Sequence, residues 1–221
     1  MKKIFIKYIK NNLGLINLFG KISGRFLFLL LTSFFAYKLS FKDFASFAIF
    51  WTTIRMFTFF SANNLYIIYF NEVRESLTVE RSWPAKVSFN ILSTAVVFGV
   101  VSTIFSFFIF DSWLIAFIMF PSLLSFVVIR NISEFSKADN SVYLSIFIED
   151  FLFYFIFFVT GVASVYLYNS LLGIVIALLI TVLITAIVSL ILFRRKFKIK
   201  SKSFKVVASA FSFKDLKLGV N

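Results

Sequence analysis

Six long apolar segments run through this 221-residue chain and limit its fold more than any other feature. Each segment is close to the ~20 residues that an α-helix needs to cross the hydrocarbon layer of a bilayer. The segments are roughly 13–37, 44–70, 87–109, 112–133, 142–168 and 170–193. A chain that is 60% hydrophobic and only 15% charged also differs from a soluble domain. The sequence therefore predicts an all-α integral membrane protein with six transmembrane helices.

Basic residues predict how these helices are oriented. A membrane domain, 13–193, lies between an amphipathic arm, 1–12, and a basic tail, 194–221. The arm, the tail and the second and fourth connections hold most of the Lys and Arg residues, whereas the opposite side has only Lys38 and Lys42. By the positive-inside rule, both termini are expected to be cytoplasmic. We expect the polybasic tail to contact anionic membrane lipids rather than nucleic acid.

The absence of two residue types excludes several kinds of chemistry. The chain has no cysteine and no histidine, so thiol nucleophiles, disulfides, Cys/His zinc sites and Ser-His-Asp triads cannot form. Carboxylates and a desolvated lysine are the remaining candidate bases. We expect no cofactor and no metal, and a transporter rather than an enzyme.

Two arginines inside the apolar segments are the leading candidates for a functional site. Arg55 stands in the run AIFWTTIRMFTFF, and Arg25 is carried inward by the first segment, with Lys21 one turn closer to the cytoplasm. An arginine near the centre of a spanning helix costs ~2.5–3.5 kcal/mol on insertion scales, so it needs a water-filled cavity or a partner. Counted from the turn between the two segments, Arg25 and Arg55 fall at nearly the same depth, which predicts an anion site.

Two acidic residues leave alternatives open. Glu149 and Asp150 lie near the cytoplasmic end of the fifth segment. They are candidate groups for coupling to an ion gradient, but they are equally candidates for structural ion pairs with the arginines or for plain interfacial positions. In the first segment, Gly20 and Gly24 form a GxxxG pair that permits close approach of another helix.

One stretch resembles a known family. The sequence GRFLFLLLTSFFAYKLSFKDFASFAIFWTTIR resembles the start of Wzx-type polysaccharide flippases in the multidrug/oligosaccharidyl-lipid/polysaccharide exporter superfamily. The shared pattern is an outer turn of Leu and Ser with polar residues, followed by an aromatic-alanine start to the second helix. The matching positions are Leu39, Ser40, Lys42, Asp43, Phe44, Phe47 and Ala48, and Ala45 stands where the family usually has glycine.

The resemblance implies a function in surface polysaccharide (O-antigen) biosynthesis. Its substrate would be an undecaprenyl-pyrophosphate-linked oligosaccharide, moved across the bacterial inner membrane with its pyrophosphate held by Arg25, Arg55 and Lys21. Because flippases of this kind have two lobes, the six helices would form one lobe that acts with a second lobe or a second copy of the chain. The alternatives are a non-catalytic membrane subunit or a truncated inactive fragment and, less favoured, a membrane glycan polymerase.

Overall fold

The described part of the chain folds into a bundle of six long helices. A computed structural model describes residues 13–75, 83–138 and 142–197, with the side chains of most of them; the predicted arm and residues 198–221 lie outside this part. The helices are α1 (Leu13–Lys38), α2 (Phe41–Glu75), α3 (Trp83–Phe110), α4 (Trp113–Ala138), α5 (Val142–Tyr168) and α6 (Leu171–Phe197). All six are long and apolar enough to cross a membrane, and the described ranges contain no strand. The predicted class, an all-α membrane protein with six spanning helices, is confirmed.

Several helices run beyond the apolar segments that identified them. The second predicted segment ends at residue 70, whereas α2 continues through NEVRE to Glu75, and α3 already begins at Trp83. A helix satisfies its backbone hydrogen bonds internally, so it continues into water wherever no residue breaks it. The apolar stretch thus marks the membrane layer rather than the end of the helix.

Three tight turns join helices at one end of the bundle, and each contains a serine that caps the next helix. Ser40 accepts a hydrogen bond from the Asp43 N–H at 3.1 Å and donates one to the Asp43 carboxylate at 2.8 Å. Ser112 and Ser170 accept bonds from backbone N–H groups at 3.5 and 3.4 Å. We call this end the turn end, and the end where α1 begins and α6 ends the terminal end.

Helix α4 forms the centre of the bundle and α1 its edge. Helix α4 packs against α2, α3, α5 and α6, and its Met119 and Leu123 are fully buried. Helix α1 packs mainly on α5 and makes little direct contact with α2, its neighbour in sequence. Aromatic rings fill the space between α1 and α2. Phe28 of α1 stacks on Trp51 of α2, with the ring centroids 5.1 Å apart.

Trp51 is the hub of this aromatic packing. Its ring is parallel to Phe157 of α5 within 8°, with 5.9 Å between centroids, and it also contacts Phe126 of α4 and Phe153 of α5 at 5.8 and 6.0 Å. Offset-stacked and edge-on rings at these separations are stabilising beyond the area they bury. The cluster ties four helices together at the level of the charged residues.

A cationic pocket at the terminal end

The charged residues of the pocket described below lie toward the terminal end of the bundle. Arg55 lies 14 residues after the start of α2 at Phe41, and Arg130 lies 17 residues after the start of α4 at Trp113. Glu149 lies 19 residues before the end of α5 at Tyr168. At ~1.5 Å per residue, all three positions are therefore roughly 20–30 Å from the turn end.

Two of these arginines share a pocket. It lies between α2, α4 and α5 and has a volume of about 360 Å³ including the open space at its mouth. Its lining residues are Arg55, Thr58, Phe126, Ile129, Arg130, Glu149 and Phe153. The charged members are thus two guanidinium groups and one carboxylate, set on apolar and aromatic walls. Because Arg55 is exposed, the pocket is reachable from outside the bundle.

Aromatic faces hold Arg55 in place. Its guanidinium carbon lies 5.4 Å from the centroid of Trp51 and 6.0 Å from that of Phe126, within the range of cation–π attraction. On the same helix face as Arg55, Thr58 is buried, whereas Ala48 and Thr52 are exposed. Arg55 consequently lies where the packed side of α2 meets its outward side.

Arg130 is a site residue that the sequence did not single out: it lies near the end of the fourth apolar segment, 112–133, and was counted only with the basic residues that orient the helices. In the structure α4 continues to Ala138, and Arg130 points into the pocket wall with its guanidinium 5.9 Å from the centroid of Phe59. Phe126, Arg130, Ser133 and Lys137 follow one another at spacings of four, three and four, which places them on one helix face. That periodicity is the signal that could have identified it.

Neither pocket arginine is neutralised by the part of the chain that the structure describes. No described carboxylate lies within 4.0 Å of the guanidinium of Arg55 or Arg130, and no described group forms a hydrogen bond with either. A guanidinium group offers five N–H donors in a planar fork that fits carboxylates and phosphates. The pocket therefore presents two positive charges with free donor capacity.

Glu149, the acid of the pocket, is bound to other groups. Its Oε2 accepts a hydrogen bond from the Ser133 hydroxyl at 2.7 Å and lies 3.6 Å from the Lys137 ammonium. Lys137 also forms an ion pair with Glu134 at 3.0 Å. Burial disfavours the charged form of Lys137, but the carboxylates of Glu149 and Glu134 outweigh it and raise the pKa above the ordinary 10.5.

The other predicted site residues lie on α1 and the adjoining part of α5. Lys21 and Arg25 are exposed and do not line the pocket of Arg55; each directly follows a glycine of α1, Gly20 or Gly24, that packs on Ile146 or on the Asp150 backbone of α5. Arg25 and Arg55 are at similar depth, but the stacked rings of Phe28 and Trp51 lie between their helices. The structure thus groups Arg55 with Arg130 and Glu149, and Arg25 and Lys21 with Asp150.

Both acids, Glu149 and Asp150, lie within a π-helical turn of α5. The turn spans Phe147–Leu152, and the Phe153 N–H donates to the Ile148 carbonyl, five residues back. Turns of this kind are rare and occur often at functional sites. Gly24 of α1 packs directly on the backbone carbonyl of Asp150, which makes this a very close approach between the two helices. Glu149 consequently faces α4, while Asp150 lies beside α1.

These features define a multi-pass α-helical membrane protein with a cationic pocket between α2, α4 and α5. Comparison with known proteins returns no match: no family model, no curated protein sequence and no solved structure is significantly similar to the chain. In the described ranges, no three His, Cys, Asp or Glu residues come together as metal ligands would.

Proposed function

We propose that the chain takes part in moving an undecaprenyl-pyrophosphate-linked oligosaccharide across the bacterial inner membrane for surface polysaccharide synthesis. The observation that carries the proposal is the pair Arg55 and Arg130, two guanidinium groups without a described carboxylate partner in one pocket at membrane depth. Arginine pairs bind phosphate groups through parallel, charge-assisted hydrogen bonds. The apolar and aromatic walls suit a ligand whose anionic head is attached to a hydrocarbon chain.

The exposure of the arginines supports a larger assembly. Arg25 and Arg55 are both exposed on the surface of the six-helix bundle, within segments that cross the membrane. An arginine side chain that faces lipid raises the free energy of membrane insertion by about 2.5–3.5 kcal/mol, whereas a water-filled cavity or a facing protein surface removes that cost. We therefore propose that the bundle acts as one lobe, opposite a second lobe or a second copy of this chain, with both termini cytoplasmic.

The proposal is tested by reconstitution. The 221-residue chain in proteoliposomes, alone and together with a candidate second-lobe membrane protein, is supplied with a fluorescent prenyl-pyrophosphate-linked oligosaccharide. Access of a membrane-impermeant quencher then reports movement between leaflets. We expect the labelled lipid to move between leaflets faster than in protein-free vesicles. This increase in rate should disappear in Arg55→Ala. Rates equal to those of protein-free vesicles in every combination would favour the alternative of a non-catalytic subunit.

A further inference from the structure

Glu149 lines the same pocket as Arg55 and Arg130 but pairs with neither of them. A carboxylate that shares a small pocket with two guanidinium groups is expected to pair with one of them, since such pairs are bidentate and strong. In the described structure Glu149 instead binds Ser133 at 2.7 Å and Lys137 at 3.6 Å. These two partners hold the Glu149 carboxylate away from the arginines.

The holding groups all lie on two facing helix surfaces. Ser133 and Lys137 are one turn apart on α4, and both reach across to α5. The Ser145 hydroxyl lies 2.6 Å from that of Ser133, and because Ser133 gives its single proton to Glu149, Ser145 is the donor in that second bond. This chain of hydrogen bonds fixes the direction of the Glu149 carboxylate.

The charges show what the pocket is left to bind. Lys137 compensates one of the two carboxylate charges of Glu149 and Glu134, so these groups together with Arg55 and Arg130 carry three positive and two negative charges. The two guanidinium groups have no described partner, and a phosphate group, with close to two negative charges at neutral pH, has enough acceptor oxygens to bind both. The pocket thus suits a phosphate-class anion better than a single carboxylate.

We infer that Lys137 is a positioning residue that, with Ser133, keeps Glu149 turned away from Arg55 and Arg130 and so leaves the pocket free for a phosphate or pyrophosphate group. The inference deepens the proposed function and rests on it only in taking the pocket as an anion site. When Lys137 is neutralised, Glu149 loses its cation and turns to the guanidinium groups. It then competes with the ligand from within the same pocket.

The competition gives a specific pattern of affinities. Lys137→Gln weakens anion binding, because the ligand must displace Glu149 from the arginines. Glu149→Gln removes the competing charge and leaves binding equal to wild type or tighter. The double variant Lys137→Gln/Glu149→Gln regains the affinity for the anion. Lys137→Arg keeps the positive charge and therefore keeps the wild-type affinity. A merely structural role for Lys137 predicts no recovery in the double variant.

The experiment measures binding of inorganic pyrophosphate to the full chain in nanodiscs of phosphatidylcholine, by calorimetry at neutral pH. We expect the affinity for pyrophosphate to fall about tenfold in Lys137→Gln. The ligand must then break a charge-assisted hydrogen bond between Glu149 and an arginine, which is worth about 1.4 kcal/mol or more. The affinity of the double variant should return to within about threefold of the wild-type affinity, which is a remaining difference in binding free energy of under about 1 kcal/mol. Arg195→Gln, an exposed cation of α6 outside the pocket, is the matched control and should bind as wild type does.

Three results separate the conclusions. Failure of the wild-type chain to bind pyrophosphate overturns the anion site, and unchanged binding in Lys137→Gln or no recovery in the double variant overturns the positioning role. The expected pattern of affinities without any movement of lipid-linked oligosaccharide overturns the proposed function but leaves this inference standing. A parallel titration with farnesyl pyrophosphate identifies the source of the phosphate: tighter binding than inorganic pyrophosphate indicates a lipid carrier, and equal binding a free anion.

Discussion

Arg55 lies over the ring of Trp51, one turn earlier on the same helix, with 5.4 Å between the guanidinium carbon and the ring centroid. A spacing of four residues brings two helical side chains together, and the face of an indole attracts a cation. The Trp51 ring is itself held by stacking on Phe157. The aromatic cluster therefore does more than pack four helices, because it also sets the position of the charge at the mouth of the pocket.

The two arginines should act as a unit on one ligand. Arg55→Gln and Arg130→Gln are each expected to weaken pyrophosphate binding about tenfold or more, because each removes a charged donor of about 1.5–3 kcal/mol. If both guanidinium groups hold the same anion, the double variant loses much less than the product of the two single losses. Arg55→Lys should be intermediate, since an ammonium keeps the charge but not the planar fork. Strict additivity in the double-mutant cycle would contradict a shared ligand.

The contact between Gly24 and Asp150 should be intolerant of any side chain. A Cβ at Gly24 would clash with the Asp150 carbonyl, a backbone atom that moves only if α1 separates from α5. We expect Gly24→Ala to lower stability by about 1–3 kcal/mol, the usual cost of overpacking. The matched control is Gly20→Ala, whose Cβ meets the side chain of Ile146 rather than backbone and should cost less. Heating in detergent followed by size-exclusion chromatography measures both; equal losses would contradict the argument.

The contribution of Lys137 to stability should depend on pH only in the alkaline range. Its pKa is raised above 10.5 in the folded chain, so its stabilising effect is complete below that value and disappears as pH rises through the raised pKa. Because 37% of its side chain is exposed, the ion pairs are worth up to about 1 kcal/mol, or a few degrees in Tm.

Thermal unfolding of Lys137→Met and wild type at pH 7, 9 and 11 tests this expectation. The difference in Tm should be the same at pH 7 and 9 and smaller at pH 11. The exposed Lys42 lies at the turn end, and Lys42→Met serves as the control for general alkaline effects. A difference that already closes between pH 7 and 9 would be inconsistent with a raised pKa.

The orientation predicted from the basic residues can be mapped directly, because the chain has no cysteine of its own. Single cysteines at Lys42, at the turn end, and at Arg195, at the terminal end, are both exposed and label without background. In intact spheroplasts a membrane-impermeant maleimide should label Lys42→Cys, and it should label Arg195→Cys only after lysis. The reverse pattern would show that the termini are outside and would remove the orientation on which the proposed direction of transport depends.

The sequence was a sufficient guide to the membrane spans because each span needs only an unbroken apolar length, which is a local property. Helix ends such as Glu75 and Trp83 lie in polar sequence, where apolarity no longer reports on structure. The three turns fall at the boundaries between predicted segments, whereas the capping of the next helices by Ser40, Ser112 and Ser170 was found only in the structure.

The composition of the pocket was harder to predict, because it depends on how helices pack rather than on depth alone. Equal depth suggested that Arg25 and Arg55 face each other, but α1 packs against α5 and leaves α2 to pack against α3 and α4. Arg130 therefore became the neighbour of Arg55. The role of Arg25 and Lys21 in binding a substrate stays a prediction, as does ion coupling by Glu149 and Asp150.

The π-helical turn also divides α5 into two stretches whose side chains are out of phase with each other. Consecutive residues of an α-helix are about 100° apart around its axis, and a π turn takes up one additional residue. Before the turn, Ser145 faces α4; after it, Thr160 contacts Thr181 of α6, and Gly161 packs against Phe35 of α1. Deleting one residue within Phe147–Leu152 would rotate one stretch relative to the other, so these faces could no longer meet their neighbours together. The length of this turn, more than any side chain within it, determines which helices α5 joins.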